Sequence, residues 1–166
     1  MDFIKQLDTL ALGSRIRNLG DLLMKDMLMV YRDYNVEFEP RWFTTFQLIM
    51  HRHELAVTEI AKNLKQSHPA AVQVVNSLEK NKLIITKTDS KDRRRRLVRL
   101  SRKGMKLAEE LSQLWEDVHT VANELISESA PDLMETLSKV EDALNSKSTY
   151  VRIKEKQEAR KLNNNQ

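Results

Sequence analysis

Four consecutive arginines, Arg93–Arg96, are the most chemically suggestive residues of this 166-residue chain. A guanidinium group is planar, always charged and forked. It matches phosphate oxygens and fits a narrow minor groove. The row lies between turn residues Asp89, Ser90 and Asp92 and the alternating run Val98-Arg99-Leu100. Alternation of apolar and polar residues predicts a half-buried strand. Upstream, Leu83-Ile84-Ile85-Thr86-Lys87 is a second β-branched run, so the two should form a hairpin with arginines at its tip and on its return strand. A solvated basic turn would carry the same composition, and the residues before the hairpin decide between the two.

Those residues predict a helix–turn–helix. Thr58 can cap the helix Glu59-Ile60-Ala61-Lys62-Asn63-Leu64. Ile60, Ala61 and Leu64 share one face, and small Ala61 suits a close helix crossing. Lys65-Gln66 makes a short turn. Ser67 is a good N-cap for the next helix, and Pro69 falls in its first turn, where a missing N–H costs nothing. That helix should run to about Lys80, with Ala71, Val74, Val75 and Leu78 as its buried stripe. Ser67, His68, Val72, Gln73 and Asn76 occupy the other face. Amide and imidazole groups hydrogen-bond to base edges, and valine methyls can meet a thymine methyl.

The order helix–turn–helix, hairpin, long helix, with the hairpin pattern D-x-x-D-R-R-x-x-x-V-x-L-S-x-x-G, resembles the MarR family of bacterial winged-helix transcription regulators. Asp89, Asp92, Arg93, Arg94, Val98, Leu100, Ser101 and Gly104 fall on the wing pattern, with serine at 101 where threonine is usual. Thr58-Glu59-Ile60-Ala61 and Leu78-Glu79 match the helix–turn–helix. Phe38-Glu39-Pro40-Arg41-Trp42-Phe43 and Ser67-His68-Pro69-Ala70 also resemble MarR-type domains fused to an N-acetyltransferase in some bacteria. No transferase is expected here, because the chain ends where one would begin. Lys65 departs from the turn glycine common in such motifs. Asn81 stands where a helix-ending glycine is usual and can take the left-handed conformation in its place.

The resemblance implies a mainly α fold with a small β-hairpin wing. It implies a single domain over 1–166, with a winged helix–turn–helix at 40–106 and dimerisation helices at 1–35 and 107–162. The expected DNA-binding residues are Lys65, Ser67, His68, Pro69, Val72, Gln73, Asn76 and Arg93–Arg96. Among them His68, Val72, Gln73 and Asn76 face the major groove, and Arg93 and Arg94 reach the minor groove. Asp92 orients one of those arginines. Lys62, Lys65, Arg95, Arg96, Arg99 and Lys103 grip phosphates. The implied function is that of a sequence-specific, double-stranded-DNA-binding regulator, a homodimeric repressor on a palindromic operator released by a small apolar or phenolic effector. Met27, Tyr31, Trp42, Phe46, Trp115 and His119 are the candidates to line an effector cleft, and ordinary core packing explains the same residues. The alternative is a DNA-architectural or anti-repressor protein of the same fold without ligand control.

Composition agrees. The net charge of +4 hides an asymmetry: residues 58–106 hold 14 Lys+Arg against 4 Asp+Glu, a net of +10, and the remainder nets −6. A basic patch on an acidic body is the footprint of a face placed on nucleic acid. Three glycines and three prolines favour helix, and no glycine-rich phosphate fingerprint is present. No apolar run reaches the length of a membrane span, and no signal peptide is expected. The absence of cysteine fits a cytoplasmic protein and excludes thiol oxidation as a switch.

The flanks read as helices: Phe3–Tyr34, Arg41–Arg52, Arg102–Glu128 and, after Ala130-Pro131-Asp132, a stripe of Leu133, Leu137, Val140 and Leu144. The terminal stripes are left over once the central module has a core, which suits a second copy of the chain. The charged segment 146–162 should be a loosely held helix, followed by a disordered tail, Asn163–Gln166. No catalytic residue or cofactor is expected, since Ser67 and Ser101 have capping roles and no spacing sets a base beside a nucleophile. His51 and His53, at i and i+2 on a helix, point to different sides, so no metal site is expected.

Overall fold

Apolar stripes on short helices and one alternating strand build the module that carries the arginine row. The computed structural model describes residues 2–164. In chain order the elements are α1 (Phe3–Gln6), α2 (Leu12–Asp33), α3 (Phe43–Arg52), β1 (Leu55–Ala56), α4 (Val57–Asn63), α5 (His68–Lys80), β2 (Ile84–Thr88), β3 (Arg96–Leu100), α6 (Arg102–Ser129), α7 (Leu133–Ser146) and α8 (Thr149–Asn164). Two compact units divide within α6, Met1–Glu110 and Leu111–Gln166.

The first unit holds a three-stranded antiparallel sheet in the order β1-β3-β2. The sequence predicts only the hairpin. Its strands pair Ile84 with Leu100 and Thr86 with Val98. The extra strand, β1, pairs Leu55 with Val98 and Ala56 with Leu97. Val98 is therefore central and fully buried. Two residues are too short a run for alternation to register. A sharp turn delivers them: Glu54 N–H donates to the Arg52 carbonyl at 2.7 Å, with His53 at φ 63°.

An aromatic cluster forms the other side of this core. Phe38 stands at its centre, edge-on to Tyr31 at 5.0 Å, Trp42 at 5.6 Å and Phe46 at 5.3 Å. Edge-to-face pairs of this kind add about 0.5–1.5 kcal/mol each beyond area burial. All four rings are 2 % exposed or less. Ile49, Ile60, Ala71, Val75 and Leu78 extend the core into the helix–turn–helix, while Val74 is half-buried.

Three expectations change at helix ends. α4 starts at Val57, not after Thr58. Its first turn is closed by Glu59, whose Oε2 accepts the Ala56 N–H at 2.6 Å, because a glutamate in the first turn reaches back to the preceding backbone. Thr58 is instead an exposed helical residue. Second, Asn81 keeps a negative φ of −82°, and Lys82 takes the left-handed conformation at φ 60°. Lys82 N–H reaches the Glu79 carbonyl and Leu83 N–H the Leu78 carbonyl, the pairing that ends helices at a left-handed residue. Lys65, at φ 51°, does the same for α4, with Gln66 N–H on the Ala61 carbonyl at 2.9 Å. Lysine thus fills the glycine position of both helices. Third, the continuous helix expected over Phe3–Tyr34 is broken near Asp8 at φ 48°, where a 3-10 turn spans Asp8–Ala11, because a left-handed residue cannot continue a right-handed helix.

Within the second unit, α8 follows α7 closely. Arg152 donates to the Ala143 and Lys147 carbonyls at 2.9 and 3.0 Å, satisfying groups that a helix end leaves open. Lys147 pairs with Glu155. The helix continues through Asn163 and Asn164, where a disordered tail is expected, since each added residue gains a backbone bond on an existing helix. Asn165 and Gln166 lie outside the described residues.

The pattern V-x-L-S-x-x-G has a physical explanation. Ser101 Oγ accepts the Gly104 N–H at 2.9 Å and donates to the Lys82 carbonyl at 2.6 Å. Ser101 N–H donates to the Leu83 carbonyl at 3.0 Å. The turn after α5 is thereby laid on the first turn of α6, so closely that a Cβ on Gly104 would sit 2.0 Å from the Leu83 carbonyl oxygen. The neighbour is backbone and cannot rotate away. Gly104→Ala is therefore expected to destabilise the fold by at least ~2 kcal/mol, measured by urea unfolding; a change within 0.5 kcal/mol, the ordinary scatter of neutral substitutions, would contradict this packing.

Candidate nucleic-acid interface

The helix–turn–helix places its polar face as the sequence predicts. Ser67 caps α5, its Oγ accepting the Ala70 N–H at 3.3 Å. Pro69 lies in the first turn. His68, Pro69, Gln73 and Asn76 are exposed, and Val72 is half-buried. Lys65 is exposed in the turn, as is Lys62 at the end of α4. Arg99 is exposed on β3, and Lys103 donates to the Asn81 carbonyl at 3.2 Å.

The arginine row splits into two outward and two inward residues. The loop before β3 is fixed by backbone bonds from Asp89 N–H to the Arg95 carbonyl and from Arg95 N–H to the Asp92 carbonyl, both 2.9 Å. Arg93 and Arg94 are exposed at its tip. The Arg94 guanidinium forks onto Asp92, Nε to Oδ1 at 3.1 Å and Nη2 to Oδ2 at 3.2 Å. The Arg94 backbone N–H also reaches Oδ1, at 3.0 Å. The side chain is nevertheless 91 % exposed, so its direction is set while its outer surface stays open.

Arg95 and Arg96 turn back onto the protein. Arg95 pairs with Glu59 Oε2 at 3.1 Å and Asp89 Oδ2 at 3.5 Å. Arg96 donates from Nη1 to Asn76 Oδ1 at 2.6 Å and from Nη2 to Glu79 Oε2 at 2.5 Å. Thr86 donates to the other Glu79 oxygen at 2.5 Å. Of the residues expected to grip phosphate, these two are held by carboxylates, because Glu59 and Glu79 lie on the two helices beside the strand. Glu54 at the sheet edge holds Lys87 at 2.8 Å. Sequence reasoning passed over Glu59, Glu79 and Asp89 as partners. A signal was present: the basic segment contains only four acidic residues, and each pairs with an arginine of the row.

The candidate effector residues fall differently. Tyr31, Trp42 and Phe46 are closed into the aromatic cluster. Met27 is half-buried on α2. In the second unit Trp115 is half-buried and exposed His119 lies 3.1 Å from Asn123 Nδ2. His51 and His53 are exposed at the end of α3.

Asp92 is held below the ordinary carboxylate value of 3.8 by its side-chain hydrogen bond from Arg94, then by the Arg94 backbone N–H. The same bond raises Arg94. A lowered carboxyl pKa stabilises the folded loop above the unfolded value and loses that contribution as pH falls through the folded value. At neutral pH the contact is fully in place. NMR titration is expected to place the Asp92 midpoint below 3.8, and Arg94→Ala to move it upward; an unmoved midpoint would show that the fork does not form in solution.

Residues 38–95 match the MarR family model. Among curated proteins, none matches the chain in sequence. Solved structures do match in fold. S. aureus MepR, in complex with DNA, is 20% identical, with a TM-score of 0.64 over 81% of this chain and 96% of that one. A MarR variant from E. coli complexed with operator DNA is 19% identical, with a TM-score of 0.64 over 87% and 99%. PcaV from Streptomyces coelicolor, in complex with its natural ligand, is 15% identical, with a TM-score of 0.66 over 89% and 97%. Residues 38–95 thus carry the match to the MarR family model, and the chain shares its winged helix–turn–helix fold with these structures.

Proposed function

We propose that this chain is a sequence-specific, double-stranded-DNA-binding transcription regulator that acts as a homodimer on a palindromic operator. The observation that carries the reading is Arg94 at the wing tip, oriented by Asp92 and almost wholly exposed. Beside the wing, α5 offers an exposed polar face of His68, Gln73 and Asn76. A helix of this kind meets base edges in a major groove, while a projecting arginine enters the adjacent minor groove. Lys62, Lys65, Arg93, Arg99 and Lys103 supply charge toward phosphate. Ser67 and Pro69 set the start of the reading helix. Arg95 and Arg96 fix the wing against it. That MepR and the E. coli MarR variant of similar fold are found in complex with DNA supports a DNA-binding role.

One such module spans only a few base pairs, and two related by a two-fold axis reach successive grooves roughly 34 Å apart. Each unit leaves an apolar face uncovered: Ile16, Leu19 and Leu22 on α2, and Met134, Val140 and Leu144 on α7. Exposed apolar patches of this kind mark association surfaces, and a second copy of the chain covers them on this reading. Action as a repressor released by a small apolar or phenolic effector completes the proposal. The ligand complex of PcaV supports ligand control. In this chain an effector would have to open the aromatic cluster to touch Tyr31, Trp42 or Phe46, so those three serve packing first.

Selection from a random DNA pool is expected to return a palindrome. On that sequence Arg94→Ala should cost roughly 1–3 kcal/mol, whereas Lys65→Ala should weaken all sequences alike and reduce the salt slope by about one. Unchanged operator affinity for Arg94→Ala across a salt titration would remove the wing from the interface. Sedimentation at micromolar concentration should give a dimer, and a monomer there would overturn the two-fold arrangement.

A further inference from the structure

The contact between Arg96 and Asn76 joins the wing strand to the exposed face of α5. Arg96 Nη1 meets Asn76 Oδ1 at 2.6 Å, and Nη2 meets Glu79 Oε2 at 2.5 Å. Asn76 and Glu79 are three residues apart, one helical turn, so a single guanidinium fork spans both. Glu79 is itself held by Thr86 on β2 at 2.5 Å. The chain Thr86–Glu79–Arg96–Asn76 thus runs from the sheet to a side chain on the exposed face that also bears Gln73.

We propose that Arg96 is a positioning residue that sets the base preference of α5 by fixing the amide of Asn76. A guanidinium group carries only N–H donors. The atom of Asn76 that faces it must therefore be the oxygen, whichever way the amide would otherwise turn. The amine is left to face outward, and it can only donate. Reading adenine requires both halves of an asparagine amide, the oxygen accepting from N6 and the amine donating to N7. With Oδ1 turned toward Arg96, one of its two lone pairs is taken and the other is aimed by the fork, not by the base, so adenine's amino group is poorly met, and a poorly paired donor in a closed interface is costly. An acceptor edge, guanine N7 and O6 or thymine O4, meets the amine without penalty. The wing thereby contributes to major-groove specificity without touching the base that it selects.

Lysine at 96 would keep the charge and the pair with Glu79. It lacks the second arm of the fork and would release the amide to turn. This inference rests on the reading of α5 as the helix that enters the major groove, and the test separates the two. The operator obtained from a random pool with wild-type protein is remade with all four base pairs at each position. Binding is measured for wild type, Arg96→Lys, Asn76→Ala and the double variant, after thermal melts show each to be folded. Asn76→Ala should flatten preference at one base pair, where wild type disfavours adenine. Arg96→Lys should reduce discrimination against adenine at that pair at least fivefold, with changes below twofold elsewhere. In the double variant Arg96→Lys should have no further effect there. Adenine preferred by wild type at the Asn76 position, or an equal loss on all four base pairs for Arg96→Lys, would overturn the inference while leaving a DNA-binding protein. Wild type that selects no sequence would overturn the regulator reading and the inference with it.

Discussion

The pairing of four carboxylates with three arginines sets the direction of the basic side chains on the wing. An arginine-rich loop left alone would repel itself and sample many shapes, because each side chain carries about 2 kcal/mol of rotamer entropy. Asp92, Asp89, Glu59 and Glu79 remove that freedom residue by residue. Individually such exposed pairs contribute little to stability, about 0–1 kcal/mol. Their effect here is directional. They draw two cations onto the protein and leave two pointing away from it, so the wing presents a shaped charge instead of a diffuse one.

Cohesion comes from elsewhere. Phe38 and its three aromatic neighbours, with Val98 at the centre of the sheet, supply the dry core. The junction of Leu83, Ser101 and Gly104 lays the start of α6 on the turn after α5. Helix α5 is buried on its Ala71, Val75 and Leu78 side, which leaves its polar side free. Core and charge thus act on opposite faces of the same helix. Lysines at 65 and 82 end α4 and α5 in a conformation that usually favours glycine, so both turns keep their geometry while adding positive charge at the two ends of α5.

Much of this was legible in the chain. The cap at Ser67, the end of α5 at Lys80, the hairpin and its arginine tip follow from local rules of capping, periodicity and alternation. A contact from Asp92 to one of the two tip arginines was legible too, and the fold of the loop makes Arg94 the partner. The cap of α4 was misplaced because Glu59 reaches backward to Ala56, and a glutamate in a first turn competes with any nearby threonine. β1 was invisible because two residues carry no period.

The residue order by itself determined the longer helices, the hairpin, the buried side of α5 and the basic character of one segment, because these depend on near neighbours in the chain. Only the tertiary structure decided which arginines face outward. Arg95 meets Glu59 across 36 residues and Arg96 meets Asn76 across 20. Contacts at that separation depend on how β3 lies beside α4 and α5, and no periodicity encodes them. The same holds for Phe38, which stands outside every amphipathic stripe and becomes the centre of the core only when α2 and α3 bring their rings around it.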